Sequence, residues 1–168
     1  QLQLTFNWFF EQRINAGSSV TRQDGRSTAN VFASQSRAGD LGWGWSANAQ
    51  SDGAGQARLD YSAPGYEANG SIYRNAHSST SVAAGINGSL VMLGGQTFAS
   101  RRIDDSFAVV SSNGIPAVPI KRENSVIGST NAQGYLLVPR LNAYHNNKLS
   151  IDTAALPAQM RLPQPDQV

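Results

Sequence analysis

The chain contains no cysteine and only two histidines, and Asp, Glu, Lys and Arg together make up 14% of its 168 residues. Without cysteine there is no disulfide and no thiolate metal site, so any small domain here must rely on packing. The net charge of +2 is small and dispersed, which argues against nucleic acid as a partner. Long apolar runs are missing too. No stretch approaches the roughly 20 residues that a membrane-spanning helix needs. No signal peptide is visible, and the first residue is Gln1 rather than Met, so the sequence reads as a piece of a longer protein. Its length suits one or two small domains.

Gly, Ser, Asn, Gln and Ala dominate what is present. Helical periodicity is nearly absent, and period-two alternation fills residues 1–93. Leu2, Leu4, Phe6, Trp8 and Phe10 fall on one face, opposite Gln3, Thr5 and Asn7. Ile14, Ala16 and Val20 alternate with polar residues in the same way. So do Leu41, Trp43, Trp45 and Ala47, then Ala57, Leu59 and Tyr61, and finally Val82, Ala84, Ile86, Leu90 and Met92. Turn clusters separate the runs: Gln23-Asp24-Gly25, Ala38-Gly39-Asp40, Asp52-Gly53-Ala54-Gly55, Ala63-Pro64-Gly65 and Asn75 to Ser79. Asp-Gly and Pro-Gly supply the backbone angles of tight hairpins. The expectation is a seven-stranded antiparallel meander, its last strand running from 80 to 93.

Alternation by itself fits a soluble sheet with one wet face as well as a membrane barrel. Two features favour the barrel. The polar face is neutral and Gly-rich rather than charged, and aromatics gather near strand ends at Trp8, Phe9, Phe10, Trp43 and Tyr66. Composition changes at Leu93-Gly94-Gly95. Beyond it come Pro116, Pro119, Pro139 and Pro157 and shorter strand candidates near 106–111, 117–123, 134–138 and 147–152. That rhythm suggests a small β-sandwich. Alternation assigns its core to Phe107, Val109, Tyr135, Leu137, Leu149 and Ile151. The tail from Leu162 to Val168 reads as a linker.

Little here suggests catalysis. His77 and His145 lie in separate loops, and each reads as a solvated loop histidine. Asp104 and Asp105 are adjacent, so on a strand they point to opposite faces and do not converge on one substrate. Asp105 is expected to brace a turn by hydrogen bonding, with Arg101 and Arg102 near a membrane boundary. No serine sits in a Gly-x-Ser-x-Gly elbow, and no Gly-rich loop precedes a helix. Gly42, Gly44, Gly85 and Gly88 read as small residues where strands bend or a lumen stays open. Tyr135 and Tyr144 are either binding aromatics or, the preferred reading, core residues whose hydroxyls find backbone partners. Pro139 ends or edges its strand, and Asn147 and Asp152 brace loops. The chain reads as a protein without enzymatic activity and without a cofactor or metal.

The segment Gly134-Tyr135-Leu136-Leu137-Val138-Pro139-Arg140-Leu141-Asn142-Ala143-Tyr144-His145-Asn146-Asn147-Lys148-Leu149-Ser150-Ile151-Asp152 is the most specific feature. It has a Gly-Tyr pair, a Pro four residues on, a second Tyr five further, an Asn three after that, and an Asp closing the next strand. Upstream lie Arg101-Arg102-Ile103-Asp104-Asp105-Ser106-Phe107-Ala108-Val109-Val110 and the Gly114-Ile115-Pro116 turn. Over residues 88–162 this pattern resembles the outer-membrane fimbrial ushers. Together with Phe9-Phe10-Glu11-Gln12-Arg13, the Arg101 to Asp105 run looks closest to their archaic, spore-coat-like branch. The resemblance marks Asp105, Phe107, Gly114, Pro116, Gly134, Tyr135, Pro139, Tyr144, Asn147 and Asp152 as signature positions, mainly structural. It implies an all-β fold. Residues 1–95 would be the last strands of a transmembrane β-barrel, and 96–168 a small periplasmic β-sandwich with a linker tail. It further implies a non-enzymatic outer-membrane protein that receives chaperone–pilin subunit complexes, promotes pilus assembly and secretes the fibre. Its partners would be those complexes, the rest of the usher barrel and outer-membrane lipid. A passive porin-like barrel and a soluble adhesin-type β-domain are the alternative readings.

Overall fold

The computed structural model describes residues 2–10, 13–77, 79–151 and 166–167. Among the described residues every regular element is a strand, and no helix is long and apolar enough to cross a membrane. The chain divides into two compact units. The first holds Gln1–Ala38, Gly42–Tyr61 and Ala68–Ile86; the second holds Gly39–Leu41, Ser62–Glu67 and Asn87–Val168.

The first unit is built on a seven-stranded sheet in sequence order. Its strands are β1 (Leu2–Phe10), β2 (Ile14–Gln23), β3 (Arg26–Gln35), β4 (Gly42–Gln50), β5 (Gly55–Ser62), β6 (Glu67–Arg74) and β7 (Thr80–Asn87). The turns follow from local chemistry. Asp24 and Gly25 both have positive φ (50° and 79°), the requirement of a two-residue hairpin turn that matches strand twist. Asp52 Oδ1 accepts from the Ala54 amide at 3.0 Å. Asn75 Oδ1 accepts from the amides of His77 and Ser79 at 3.0 and 2.9 Å. Such short side chains replace the backbone partners that a turn removes.

Register carries the alternation across the sheet. Leu4 pairs with Val20, Phe6 with Ser18, Trp8 with Ala16 and Phe10 with Ile14. Val20 in turn meets Ala29, Ser18 meets Val31, and Ala16 meets Ala33. The apolar residues of three strands thus share one face, because side chains opposite one another across a ladder point the same way. The face is exposed in this chain, with Leu2, Leu4, Phe6, Val20, Val31 and Trp43 open to solvent, and Leu59, Val82 and Ile86 of the later strands are exposed as well. Trp43 and Tyr61 pack against each other with ring centroids 4.4 Å apart and planes tilted by 37°. Trp45 Nε1 donates to Gln35 Oε1 at 2.9 Å. The other face is mostly polar but also carries Phe32, whose ring lies over its cross-strand partner Gly17. A Cβ at Gly17 would come within 2.5 Å of Phe32 Cζ, so only glycine leaves room for that ring.

The strand expected over 80–93 is interrupted at Gly88. A Cβ there would stand 3.2 Å from the carbonyl oxygens of both Gly65 and Ser100, a close approach that favours glycine. The following residues form a hairpin of the second unit, β8 (Ser89–Leu93) with β9 (Gln96–Ser100). Leu93-Gly94-Gly95, expected as a seam between domains, is its turn, with positive φ at both glycines. The remaining strands are β10 (Ser106–Ser111), β11 (Pro119–Arg122), β12 (Ser125–Ser129), β13 (Tyr135–Leu141), β14 (Leu149–Ile151) and β15 (Asp166–Gln167). They form a β10–β13 pair and a four-stranded sheet ordered β12-β11-β14-β15.

The core of the second unit corrects the expected one. Val118, Ile120, Ile127, Leu136, Val138 and Leu141 form it, with Ala108, Val110, Ile115, Leu149 and Ile151 packed against it. Leu149 and Ile151 thus contribute as expected. On β10 and β13 the opposite parity is buried: Val110 pairs with Leu136 and Ala108 with Val138, while Phe107 is 41% exposed. Leu137 is buried, but outside this cluster. Alternation separates the two stripes of a strand but does not say which is buried; that is decided by what lies opposite, here Ile120 of β11 and Ile127 of β12. β12 itself was not expected, nor was the continuation of β13 past Pro139 to Leu141. Proline is tolerated because β13 has only one sheet neighbour, so its outer edge needs no donor. A bulge follows: Phe107 faces Pro139, Ser106 faces Leu141, and the skipped Arg140 takes φ +58°.

Ile120 and Phe107 should therefore respond differently to truncation. Ile120→Ala, at a side chain 1% exposed, is expected to cost about 2–5 kcal/mol. Phe107→Ala is expected to cost much less. Native-state hydrogen exchange of β13 amides measures both; equal loss of protection would disprove this assignment of the core.

Candidate functional site

The densest charged cluster lies in the second unit and joins residues far apart in sequence. Asp40 accepts from two arginines. Arg101 Nη1 reaches its backbone oxygen at 3.0 Å and Nη2 its carboxylate at 3.5 Å. Arg122 Nη2 closes on the same carboxylate oxygen, and Arg122 Nη1 donates to the Arg140 carbonyl at 2.9 Å. Arg140 Nη2 in turn pairs with Glu67 Oε2 at 2.6 Å. Two carboxylates thus bind three guanidinium groups. Arg101 is 2% exposed, and burial lowers its pKa from the usual arginine value, with the Asp40 charge acting in the opposite sense and Arg140 adding to the lowering. Among the described residues, Arg101 Nε and the hydroxyls of Ser62 and Ser100 have no hydrogen-bond partner. Arg102, the chain neighbour of Arg101, is by contrast exposed and paired with Asp104.

The signature residues form two other groups. At one end of the unit, Gly114 (φ +82°) and Gly134 (φ +78°) lie backbone against backbone. A Cβ on Gly134 would fall 2.6 Å from the Gly114 nitrogen, so no larger residue fits without moving a main chain. Ser112 Oγ donates to the Gly134 carbonyl at 3.0 Å, and its amide does so at 2.8 Å. Thr130 Oγ1 donates to the Ile115 carbonyl at 2.8 Å and accepts from the Val118 amide at 2.9 Å. Pro116 is exposed in this turn, and Tyr135 is half-buried at the start of β13.

At the other group, Asp105 Oδ2 accepts from the Ala143 amide at 3.3 Å. Asn147 Oδ1 accepts from the Asn142 amide at 3.1 Å, and its Nδ2 donates to the carbonyls of Asn142 (2.9 Å) and His145 (2.8 Å). Asp105 and Asn147 thus hold the loop between β13 and β14. Tyr144, expected in the core, is fully exposed on that loop. Its neighbours along the chain are tied down, Ala143 through its amide by Asp105 and His145 through its carbonyl by Asn147. Asp152 lies outside the described residues. Among the described residues no three His, Asp or Glu side chains gather as metal ligands would.

No local signal in the sequence marks the Asp40 and Glu67 pairs. Their partners lie 61, 82 and 73 residues away; Asp40 stands in a bend where carboxylates are ordinary, and Glu67 opens strand β6. Removing one partner of a buried ion pair leaves the others uncompensated, at about 3–5 kcal/mol. Asp40→Ala is therefore expected to make β11 and β13 cleavable by protease at denaturant concentrations where the parent resists, and Asp40→Glu to recover part of that resistance. Identical cleavage profiles would show the cluster to be energetically idle.

The chain matches, over residues 1–167, the family described as outer membrane usher protein. It is 29% identical to the outer membrane usher protein FaeD of Escherichia coli over 163 residues, 94% of this chain and 20% of that protein. To the outer membrane usher protein YraJ of E. coli strain K12 it is 30% identical over 95 residues, 56% of this chain and 11% of that protein. Its fold resembles a chain of the E. coli P pilus tip assembly intermediate PapC-PapD-PapK-PapG in the second conformation, with TM-score 0.53, 15% identity, and coverage of 98% of this chain and 25% of that one. The chain thus spans a quarter or less of the length of each of these proteins. A family match along essentially the whole sequence, joined to an all-β fold with a sheet that is apolar on one face, places this chain in the family of outer membrane usher proteins.

Proposed function

We propose that this chain is part of a non-enzymatic secretion pore that receives chaperone–subunit complexes, promotes their assembly into a pilus and passes the fibre across the outer membrane. The observation that carries this reading is the seven-stranded meander with one continuous apolar face, followed by a small sandwich, in a chain that matches the usher family throughout. An apolar face of this kind suits lipid, and neutral polar residues on the opposite face suit a lumen. Both outer strands of the sheet, β1 and β7, have an open edge among the described residues. In a bilayer such edges must be paired, and the rest of the usher barrel would pair them. Energy for assembly would come from strand exchange between subunits, a form of β-augmentation, rather than from nucleotide hydrolysis. The P pilus intermediate, whose name joins an usher to PapD, PapK and PapG, supports this choice of partner class.

In this reading residues 1–95 belong to the barrel wall and 96–168 form a periplasmic docking module. The turns at 39–41 and 62–67 group with the second unit, whereas those near 24, 53 and 77 do not. That grouping supports a periplasmic location for the first set and an external one for the second. An epitope inserted at Gly53 of the full-length protein should be reachable on intact cells, and one at Pro64 should not. The opposite pattern would reverse the topology.

Deleting the sandwich strands, residues 106–151, from the full-length protein should abolish pilus assembly while the barrel still inserts. Fibre counts by electron microscopy and the amount of usher in outer-membrane fractions test this together. Normal fibre numbers with the truncated protein would refute the docking role.

A further inference from the structure

Tyr144 is exposed to 106% of its reference area, and its φ of +61° lies in the left-handed region. A side chain with a Cβ adopts that conformation only when its surroundings impose it. Here the imposing groups are known. Asn147 spends its whole amide on the Asn142 and His145 main chain, and Asp105 holds the Ala143 amide. The loop is therefore braced on both sides of a tyrosine that contributes nothing to the core of its own unit. Beside it opens a polar recess of about 520 Å³ lined by Asp105, Asn142, Ala143, His145 and Asn146.

A braced loop that presents a bare aromatic ring is suited to recognition. Tyrosine buries a large amphipathic surface while fixing few torsions, and tyrosines are enriched among the residues that dominate protein interfaces. Bracing removes the ordering cost before binding. With the Asp105 carboxylate, the Asn142 and Asn146 amides and the His145 imidazole, the recess is rich in acceptors, and a cationic donor complements it. We propose that the Asn142–Asn147 loop is a contact point for the incoming chaperone–subunit complex. Tyr144 packs on an apolar patch of that complex, and the Asp105 recess takes an adjacent Lys or Arg head group. The assignment rests on the usher reading above and names the part of the module that would do the docking.

The test uses the full-length usher in cells making its own chaperone and subunits. A photoreactive benzoylphenylalanine placed at position 144 should yield an adduct with chaperone or subunit. An adduct only within the usher would overturn the proposal by identifying another part of the same chain as the occupant. Tyr144→Ser should reduce fibre number about tenfold, the effect of losing one interface anchor, with usher amount in the outer membrane unchanged. Tyr144→Phe should stay near the parent, because the ring is kept. Normal assembly by Tyr144→Ser would also overturn the proposal. If the protein lacking 106–151 still fails in that case, docking by the module stands and only the loop assignment falls. If it assembles fibres too, both readings fall.

Discussion

Main-chain pairing is the constraint on which the rest of this structure depends. A strand has donors and acceptors along both edges, and an apolar medium offers them no other partner. Antiparallel pairing satisfies them and at the same time fixes which side chains share a face. In the first unit the ladders from β1 to β4 carry the apolar residues of each strand onto a common face. That arrangement needs no conventional core, and much of the first unit's apolar surface remains open. Lipid is the medium in which such a surface is at equilibrium.

The second unit solves a different problem. It is small, lacks cysteine, and closes its core with a handful of aliphatic side chains between two short sheets. Bulges at Arg140 and Ile127 turn the strands so that their stripes face one another. At one end, two glycines meet backbone to backbone with serine and threonine hydroxyls bridging the carbonyls around them. Elsewhere, Asp40 and Glu67 pair with three arginines, one of them buried. Charges that would be costly alone are tolerated because each has an opposite charge within reach. The exposed Asn142–Asn147 loop is held separately, by the side chains of Asp105 and Asn147.

Much of the first unit was legible in the sequence. Period-two alternation together with Asp-Gly and Asn-containing turns located each strand of the meander, because both signals are local. Where reading failed, the cause was contact between distant residues. The expected strand 80–93 breaks at Gly88 because the Gly65 and Ser100 carbonyls close in on it. Alternation assigns Phe107 and Tyr135 to the core, yet the packing surface offered by Val118, Ile120 and Ile127 takes up their neighbours instead. In the signature, the spacing of Gly114, Gly134, Asp105 and Asn147 was visible, but their pairwise meetings were not.

The sequence alone determined the strand-rich fold, the two faces of the meander, the absence of disulfide chemistry and the resemblance to ushers. These depend on residue type and short spacing, which local sterics convert directly into backbone shape. Only the tertiary structure decided which stripe of β10 and β13 is buried, which arginine is enclosed, and that Tyr144 faces outward rather than in. Those outcomes turn on which surfaces meet across 20 to 80 residues of intervening chain, as with Arg101 and Asp40, 61 residues apart, or Asp105 and Ala143, 38 apart. Packing density and charge compensation select among the possible meetings, and neither is written into any single segment.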